Sequence, residues 1–139
     1  MSILGGCFCG KIRYELTGDV LVNGMCCCKS CQNFTGGSGN PTVAIWAKDI
    51  KWLADQPASY QHSPQGATRQ FCATCGTQIT AQVPSAEAIL TVKIGTFDDP
   101  TQYSGPHVAI WCEDKPNWLN LPDKCMAFQH GSPEMPKAF

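Results

Sequence analysis

The cysteines are the residues of this chain whose number and spacing point most directly to chemistry. Ten occur among 139 residues, and most of them lie in three groups, at 7–9, 26–31 and 72–75. Such bunching favours metal binding over the alternative, a disulfide framework, because disulfides need Cα atoms roughly 4.4–6.8 Å apart with converging side chains. The start, MSILGG, has no basic region followed by a long apolar one, so no signal peptide is expected. We therefore predict a cytoplasmic protein whose thiolates bind metal.

Two of the cysteine groups together predict one closed zinc site. Cys72 and Cys75 have two residues between them and precede Gly76, a pattern typical of a knuckle whose tight turn aims both sulfurs at one ion. Cys7 and Cys9 are spaced i, i+2, so in an extended chain their side chains point the same way. Four thiolates complete a structural site and leave no position for a substrate. The alternatives are a redox-active C-x-x-C pair, and burial of Cys7 and Cys9 as small apolar residues.

The third group, MCCCKSC at 25–31, predicts a zinc site of a different kind. Cys26, Cys28 and Cys31 can converge on one ion, whereas Cys27 would face the opposite side of an extended chain. Three protein ligands with one open position are the arrangement of a catalytic zinc site, so two zinc ions per chain are expected. The alternative is a structural site closed by a remote fourth ligand, for which the candidates are Cys112, Cys125, His62, His107 and His130.

Short strands between glycine and proline residues are the elements that must position these groups. Segment 88–97 is the most apolar and is predicted to be central, while Lys48-Asp49 predicts a hairpin turn and 32–35 a single helical turn. No helix of ten or more residues is expected. Further strands are predicted at 11–16, 42–47, 50–54 and 107–111, with two more joined by the knuckle at 69–82. The prediction is one mainly β domain over residues 1–130, followed by a loosely ordered tail at 131–139.

Composition and charge exclude several classes of function. Hydrophobic residues make up 43% of the chain and charged residues 15%, a balance typical of a folded globular domain. The net charge of -1 gives no attraction to nucleic acid or to an anionic membrane, and no apolar run could span a bilayer. The tryptophans predicted to lie in the core are Trp46, Trp52, Trp111 and Trp118. The cations predicted to be solvated surface charges, with binding of a ligand's carboxylates as the alternative, are Arg13, Lys29, Lys48 and Arg69.

Five segments, three of which contain the cysteine groups, occur in an order that is seen in a known protein family. They are GCFCG (6–10), CCCKSC (26–31), RQFCATCGT (69–77), KIGTFDDP (93–100) and PHVAIWCEDKPNW (106–118). Over about residues 4–125 the chain resembles the glutathione-dependent formaldehyde-activating enzyme family, also called the centromere protein V/GFA domain. Members of this family commonly carry His where this chain has Cys27, which puts any role of that His in doubt and leaves the three presumed ligands in place.

The resemblance implies a fold, a set of ligands and a reaction. The fold would be Mss4-like, with small packed antiparallel sheets held together by zinc. The implied ligands are Cys7, Cys9, Cys72 and Cys75 for a structural zinc, and Cys26, Cys28 and Cys31 for a catalytic one. The implied activity is a carbon–sulfur lyase or synthase that joins a small thiol such as glutathione to an aldehyde such as formaldehyde, giving S-hydroxymethylglutathione.

Two other functions stay open at this stage. One is a non-catalytic, zinc-stabilised β module that binds a protein, and the other is a thiol redox sensor that uses the cysteines at 26–28. Within the enzyme hypothesis, His107 is the best side-chain candidate for proton transfer, although a structural histidine is the alternative. The glycine-rich segment 34–40 is a candidate wall of the substrate pocket, with a plain loop as the alternative.

Overall fold

A computed structural model describes residues 2–131 of the chain. One α-helix, α1 (Lys29–Thr35), accompanies strands that are mostly three to five residues long. The strands are β1 (Ile3–Gly6), β2 (Arg13–Leu16), β3 (Val22–Cys26), β4 (Asn40–Trp46), β5 (Ile50–Trp52), β6 (Ala58–Gln61), β7 (Thr68–Phe71), β8 (Gln78–Gln82), β9 (Ile89–Lys93), β10 (Val108–Ile110) and β11 (Met126–Ala127). Short 3-10 helices lie at Ala47–Asp49, Pro84–Ala86, Ile94–Thr96, Pro100–Gln102 and Cys112–Asp114.

The strands form two sheets, so the predicted mainly β fold class is confirmed. The larger sheet has the order β11-β10-β3-β4-β9-β8-β7-β6, and the smaller one the order β1-β2-β5. Strand β9 lies next to β4 in the middle of the larger sheet, as its apolar sequence predicts. Most pairs are antiparallel, but β10 runs parallel to both β3 and β11, which makes the larger sheet mixed.

The hydrophobic core takes residues from both sheets. Tyr14 and Leu16 of β2 and Val43 and Ile45 of β4 are almost completely buried in one cluster. Each such side chain contributes roughly 1.5–3 kcal/mol through its removal from water. Glycine is required at Gly5 of β1, because a Cβ there would overlap the Tyr14 hydroxyl and a backbone oxygen. This close approach allows the small sheet to lie against the chain that follows β9.

Two local predictions are wrong and have physical explanations. The residues Lys48-Asp49 do not form a hairpin turn, because β4 already pairs with β3 and β9 and therefore has no free edge for β5. The 3-10 helix Ala47–Asp49 instead carries the chain across to the small sheet, where β5 pairs with β2. Helix α1 is longer than the single turn predicted, since Cys28 caps its first turn and Gly36, at φ 70°, ends it.

The predictions about aromatic residues and the tail have mixed outcomes. Trp52 packs against the core, but Trp46 and Trp118 are 44% and 71% exposed, so the prediction that they lie in the core is wrong. No helix within residues 2–131 is long and apolar enough to cross a membrane. The tail predicted at 131–139 lies, apart from its first residue, outside the described residues, and the domain boundary at 130 stays a prediction.

Candidate metal centres

The first cysteine cluster joins two turns that are far apart in the sequence. Cys7 and Cys9 lie in the turn after β1, and Cys72 and Cys75 in the turn between β7 and β8. Their four Sγ atoms lie within 4.8 Å of one another. The Sγ atoms of Cys7 and Cys9 are 3.6 Å apart, and those of Cys9 and Cys72 are 3.8 Å apart. Tetrahedral ligands at about 2.3 Å from a zinc ion would be about 3.8 Å apart, so this donor set fits zinc.

Both turns of this cluster depend on a glycine in the left-handed region. Gly10 has φ 83° and its N–H donates to the Cys7 carbonyl, while Gly76 has φ 79° and donates to the Cys72 carbonyl. A residue with a Cβ adopts this conformation only with strain. The N–H of Ile12 also donates to Cys7 Sγ at 3.3 Å, which supports negative charge on the sulfur. The glycines next to the cysteines are therefore part of the ligand geometry.

The hydroxyl of Thr77 connects the two turns. It accepts a hydrogen bond from the N–H of Phe8 at 3.1 Å and lies 3.2 Å from Cys75 Sγ, to which it can donate. This contact with the Thr77 side chain lowers the pKa of Cys75 to about 5. The Cys75 thiolate, which is the form that binds metal, is therefore favoured at neutral pH.

The second cluster lies where strand β3 passes into helix α1. Cys26 ends β3, Cys28 caps the helix and Cys31 lies in its first turn, and the three Sγ atoms lie within 4.8 Å of one another. Cys27 is completely buried and is not in this group. Within residues 2–131, neither cluster includes any of the proposed remote ligands, namely Cys112, Cys125, His62, His107 and His130.

Burial and the neighbouring thiols set the ionisation of these cysteines. Hydrogen bonds from Cys26 and Cys28 lower the pKa of Cys31 to about 2, and the nearby cations Arg69 and Lys93 act in the same direction. Burial raises the pKa of Cys27 to about 11, with a further rise from the neighbouring Cys112 thiol. This raised pKa favours the protonated form of Cys27 at neutral pH, and its sulfur is not part of the cluster.

The side chains of Asn40 and Lys93 form a chain of contacts that ends at Cys31. Asn40 Nδ2 lies 3.7 Å from Cys31 Sγ, and Asn40 Oδ1 accepts a hydrogen bond from Lys93 Nζ at 2.6 Å. Lys93 is only 8% exposed, and burial lowers the pKa of its ammonium to about 8. This chain of contacts fixes the orientation of one sulfur and places a cation close to the thiolates.

A cavity of about 160 Å³ adjoins the three-cysteine cluster, whereas the four-cysteine cluster does not line it. The cavity is partly open to solvent. Trp111, which has φ 55°, forms part of its wall, so this half-buried residue borders a site rather than filling the core. The lining residues that the later argument uses are Cys26, Cys28, Cys31, Asn40, Arg69 and Trp111.

His107 does not lie in this cavity. Its ring is exposed, contacts Ser104 and borders a separate depression near Asn23. The position of His107 therefore gives no support to the predicted proton transfer. Of the glycine-rich segment 34–40, Asn40 lines the cavity.

Sequence reasoning misses the burial of two cations, Arg69 and Lys93. Arg69 is predicted to lie on the surface but is only 9% exposed, so that prediction is wrong. Lys93 could be identified from the sequence, because a lysine inside the most apolar strand candidate must be either paired with an anion or functional. The burial of Arg69 is harder to predict, since its strand has no regular alternation of apolar and polar residues.

Comparison with known proteins adds two findings. A family model described as glutathione-dependent formaldehyde-activating enzyme matches residues 2–114. A crystal structure of a Rhodobacter sphaeroides protein, from a structural genomics programme, is similar with a TM-score of 0.58 and 21% identity, over 75% of this chain and 95% of that chain. At this identity the likeness concerns the fold alone. No match was found among the curated proteins.

Proposed function

Because this chain belongs to the glutathione-dependent formaldehyde-activating enzyme family, we propose that it is a zinc-dependent carbon–sulfur lyase that forms and cleaves adducts of a thiol and an aldehyde. One observation carries the proposal: a three-thiolate cluster borders a cavity, while a separate four-thiolate cluster is complete. A metal held by three protein ligands keeps a position for a substrate, and one held by four does not.

The two clusters would have different tasks. A structural zinc would be held by Cys7, Cys9, Cys72 and Cys75, and a catalytic zinc by Cys26, Cys28 and Cys31. When bound, the catalytic zinc supplies a positive charge that lowers the pKa of a substrate thiol and holds its sulfur. The protein's own part is to hold the three sulfurs in place through the cap of α1 and the contact from Asn40.

The chemistry needs no oxidant. A carbon–sulfur bond forms between the thiol sulfur and the aldehyde carbon, and the carbonyl π-bond pair moves to oxygen. The proton that leaves sulfur ends on that oxygen, so the hemithioacetal contains every atom of the two reactants. Among the described lining residues, only the cysteines and Arg69 are titratable. We therefore assign the proton transfer to water that enters the cavity from solvent.

Exchange NMR tests this activity directly. The zinc-loaded protein is added to equilibrium mixtures of ¹³C-formaldehyde with thiols, including glutathione, and the rate of hemithioacetal formation and breakdown is measured. We expect acceleration over the uncatalysed exchange for at least one thiol, and its loss in Cys28→Ser with the fold retained. A folded protein with two zinc ions that accelerates none of the pairs would contradict the proposal.

A further inference from the structure

Arg69 is a buried cation without an acidic partner. It is only 9% exposed, and neither of the ion pairs found within residues 2–131, Arg13–Asp98 and His130–Glu113, involves it. Arginine is almost never fully buried unless it is paired, because removing its charge from water is costly. A buried guanidinium of this kind indicates that an anion supplied from outside the chain completes the site.

The surroundings of Arg69 leave its hydrogen-bond donors available. The guanidinium carbon lies 4.0 Å from the centre of the Phe34 ring, so one flat face is covered by a cation–π contact. The N–H groups lie in the plane of the guanidinium, where stacking does not occupy them. Arg69 lines the same cavity as the three cysteines, which places these donors beside the substrate position.

A purely structural role is the competing interpretation. Arg69 lies close enough to Cys31 to lower the pKa of that thiol, so it offsets some of the charge of the cluster. However, Lys93 already serves the cluster through Asn40 and is not among the residues that line the cavity. Arg69 is thus the cation of this pair that a ligand in the cavity can reach.

The size and walls of the cavity restrict the ligand. Its volume is about 160 Å³, close to the roughly 150 Å³ of an engineered cavity that binds benzene and below the roughly 300–1,000 Å³ typical of sites for drug-sized ligands. A tripeptide such as glutathione cannot be enclosed whole. The walls between the cysteines and Arg69 are largely apolar and include Met25, Val83, Ile89, Val108 and Ile110. A ligand with a short hydrocarbon portion fits such walls.

We propose that Arg69 binds the carboxylate of a small mercapto acid whose sulfur lies at the three-cysteine cluster. The preferred substrates are then short thiol carboxylates and their aldehyde adducts. A guanidinium matches a carboxylate with two parallel hydrogen bonds, which a surface lysine does not reproduce. The position assigned to the ligand's sulfur rests on the proposed function, whereas the position assigned to its carboxylate rests on Arg69 alone.

Calorimetric titration of the zinc-loaded protein with two matched thiols tests the inference. The probes are 3-mercaptopropionate and its neutral amide, which have the same length and differ in charge. Because hydrogen bonds to a charged group are stronger than those to a neutral one, we expect the acid to bind at least about tenfold more tightly. In Arg69→Gln this preference should vanish while the affinity for the amide changes little. Arg13→Gln, which removes an arginine outside the cavity, should keep the wild-type preference.

The possible outcomes separate the inference from the proposed function. Equal affinity of the wild type for acid and amide overturns the carboxylate site and leaves the thiol chemistry intact. Equal weakening of both probes in Arg69→Gln shows that Arg69 only supports the cluster, and also overturns the inference. Binding of neither thiol to the wild type also overturns the inference, and the exchange measurement with other thiols then decides separately whether the proposed function stands. If Arg69→Gln does not fold, Arg69→Lys should reduce the preference, and a full preference in that variant contradicts the paired hydrogen bonds.

Discussion

The two cysteine clusters are built from the same ligand type but from different kinds of support. The four-cysteine cluster lies on two glycine-containing turns, and its sulfurs contact backbone N–H groups and the Thr77 hydroxyl. The three-cysteine cluster lies at a strand–helix junction, next to a cavity and two buried cations. The two clusters therefore differ both in the number of cysteines and in the groups that surround them.

The two clusters also differ in what stabilises their thiolates. In the first cluster, where Cys7 and Cys72 are buried, backbone N–H groups and a hydroxyl contact the sulfurs, so dipoles of the turns favour the thiolates. In the second cluster, where Cys31 is buried, the nearby cations Lys93 and Arg69 favour the Cys31 thiolate. We infer that the first cluster holds the fold together and that the second is adapted to a ligand that changes during turnover.

Matched serine substitutions should separate the clusters most strongly. Cys72→Ser should leave the protein unfolded or without a cooperative transition, because structural zinc contributes about 10–16 kcal/mol of apparent binding energy against a typical total stability of about 5–15 kcal/mol. Cys28→Ser should lower the melting temperature by less than about 5 °C, since its cluster lies outside the main core. Thermal unfolding followed by circular dichroism measures both.

The control for this comparison is Cys125→Ser, which alters a thiol that belongs to neither cluster. Its melting temperature should match that of the wild type. An equally large loss of stability in Cys28→Ser and Cys72→Ser would contradict the division of roles.

A smaller effect is expected when the cation beneath the open cluster is removed. Lys93→Met leaves Asn40 Oδ1 without its donor and takes away a charge that favours the thiolates. Changes of this kind around metal ligands typically weaken metal binding by about 10–100-fold. Competition with a chelator of known affinity measures the constant for the second metal. Lys51→Met, on the exposed face of β5, is the matched control. Equal metal affinities in the two variants would show that Lys93 does not support metal binding.

The smallest expected effect concerns the hydroxyl that connects the turns of the closed cluster. Thr77→Val keeps the shape of the side chain but removes its hydrogen bonds to Phe8 and Cys75. We expect the melting temperature to fall by roughly 2–5 °C with both metals still bound. Thr77→Ser, which keeps the hydroxyl, should restore most of this loss. A fall of equal size in both variants would mean that the methyl group, and not the hydroxyl, is responsible.

The grouping of the cysteines and the central place of β9 could be predicted from sequence because both depend on local patterns. Spacings of two or three residues decide which sulfurs share a turn, whatever the rest of the chain does. An unbroken apolar run likewise predicts a strand that is covered on both faces. The family resemblance covers the same local segments.

The surroundings of the clusters could not be predicted in this way, because they depend on pairing between distant strands. Arg69 and Lys93 are separated by 24 positions and meet only because β8 lies between β7 and β9 in the sheet. The false hairpin at Lys48-Asp49 has a similar origin, since β4 pairs on one edge with β3 and on the other with β9, which is remote in sequence. His107 is an attractive candidate by residue type, but it precedes β10 and borders a separate depression instead of the cavity.

Stepwise removal of metal distinguishes a structural zinc from a catalytic one. The zinc-loaded protein is titrated with a chelator while released zinc, far-ultraviolet circular dichroism and hemithioacetal exchange are followed together. We expect two zinc ions per chain, the first leaving with loss of exchange activity and an unchanged spectrum, the second leaving only as the chain unfolds. Release of both ions in one step that coincides with unfolding would contradict the separation into a structural and a catalytic centre.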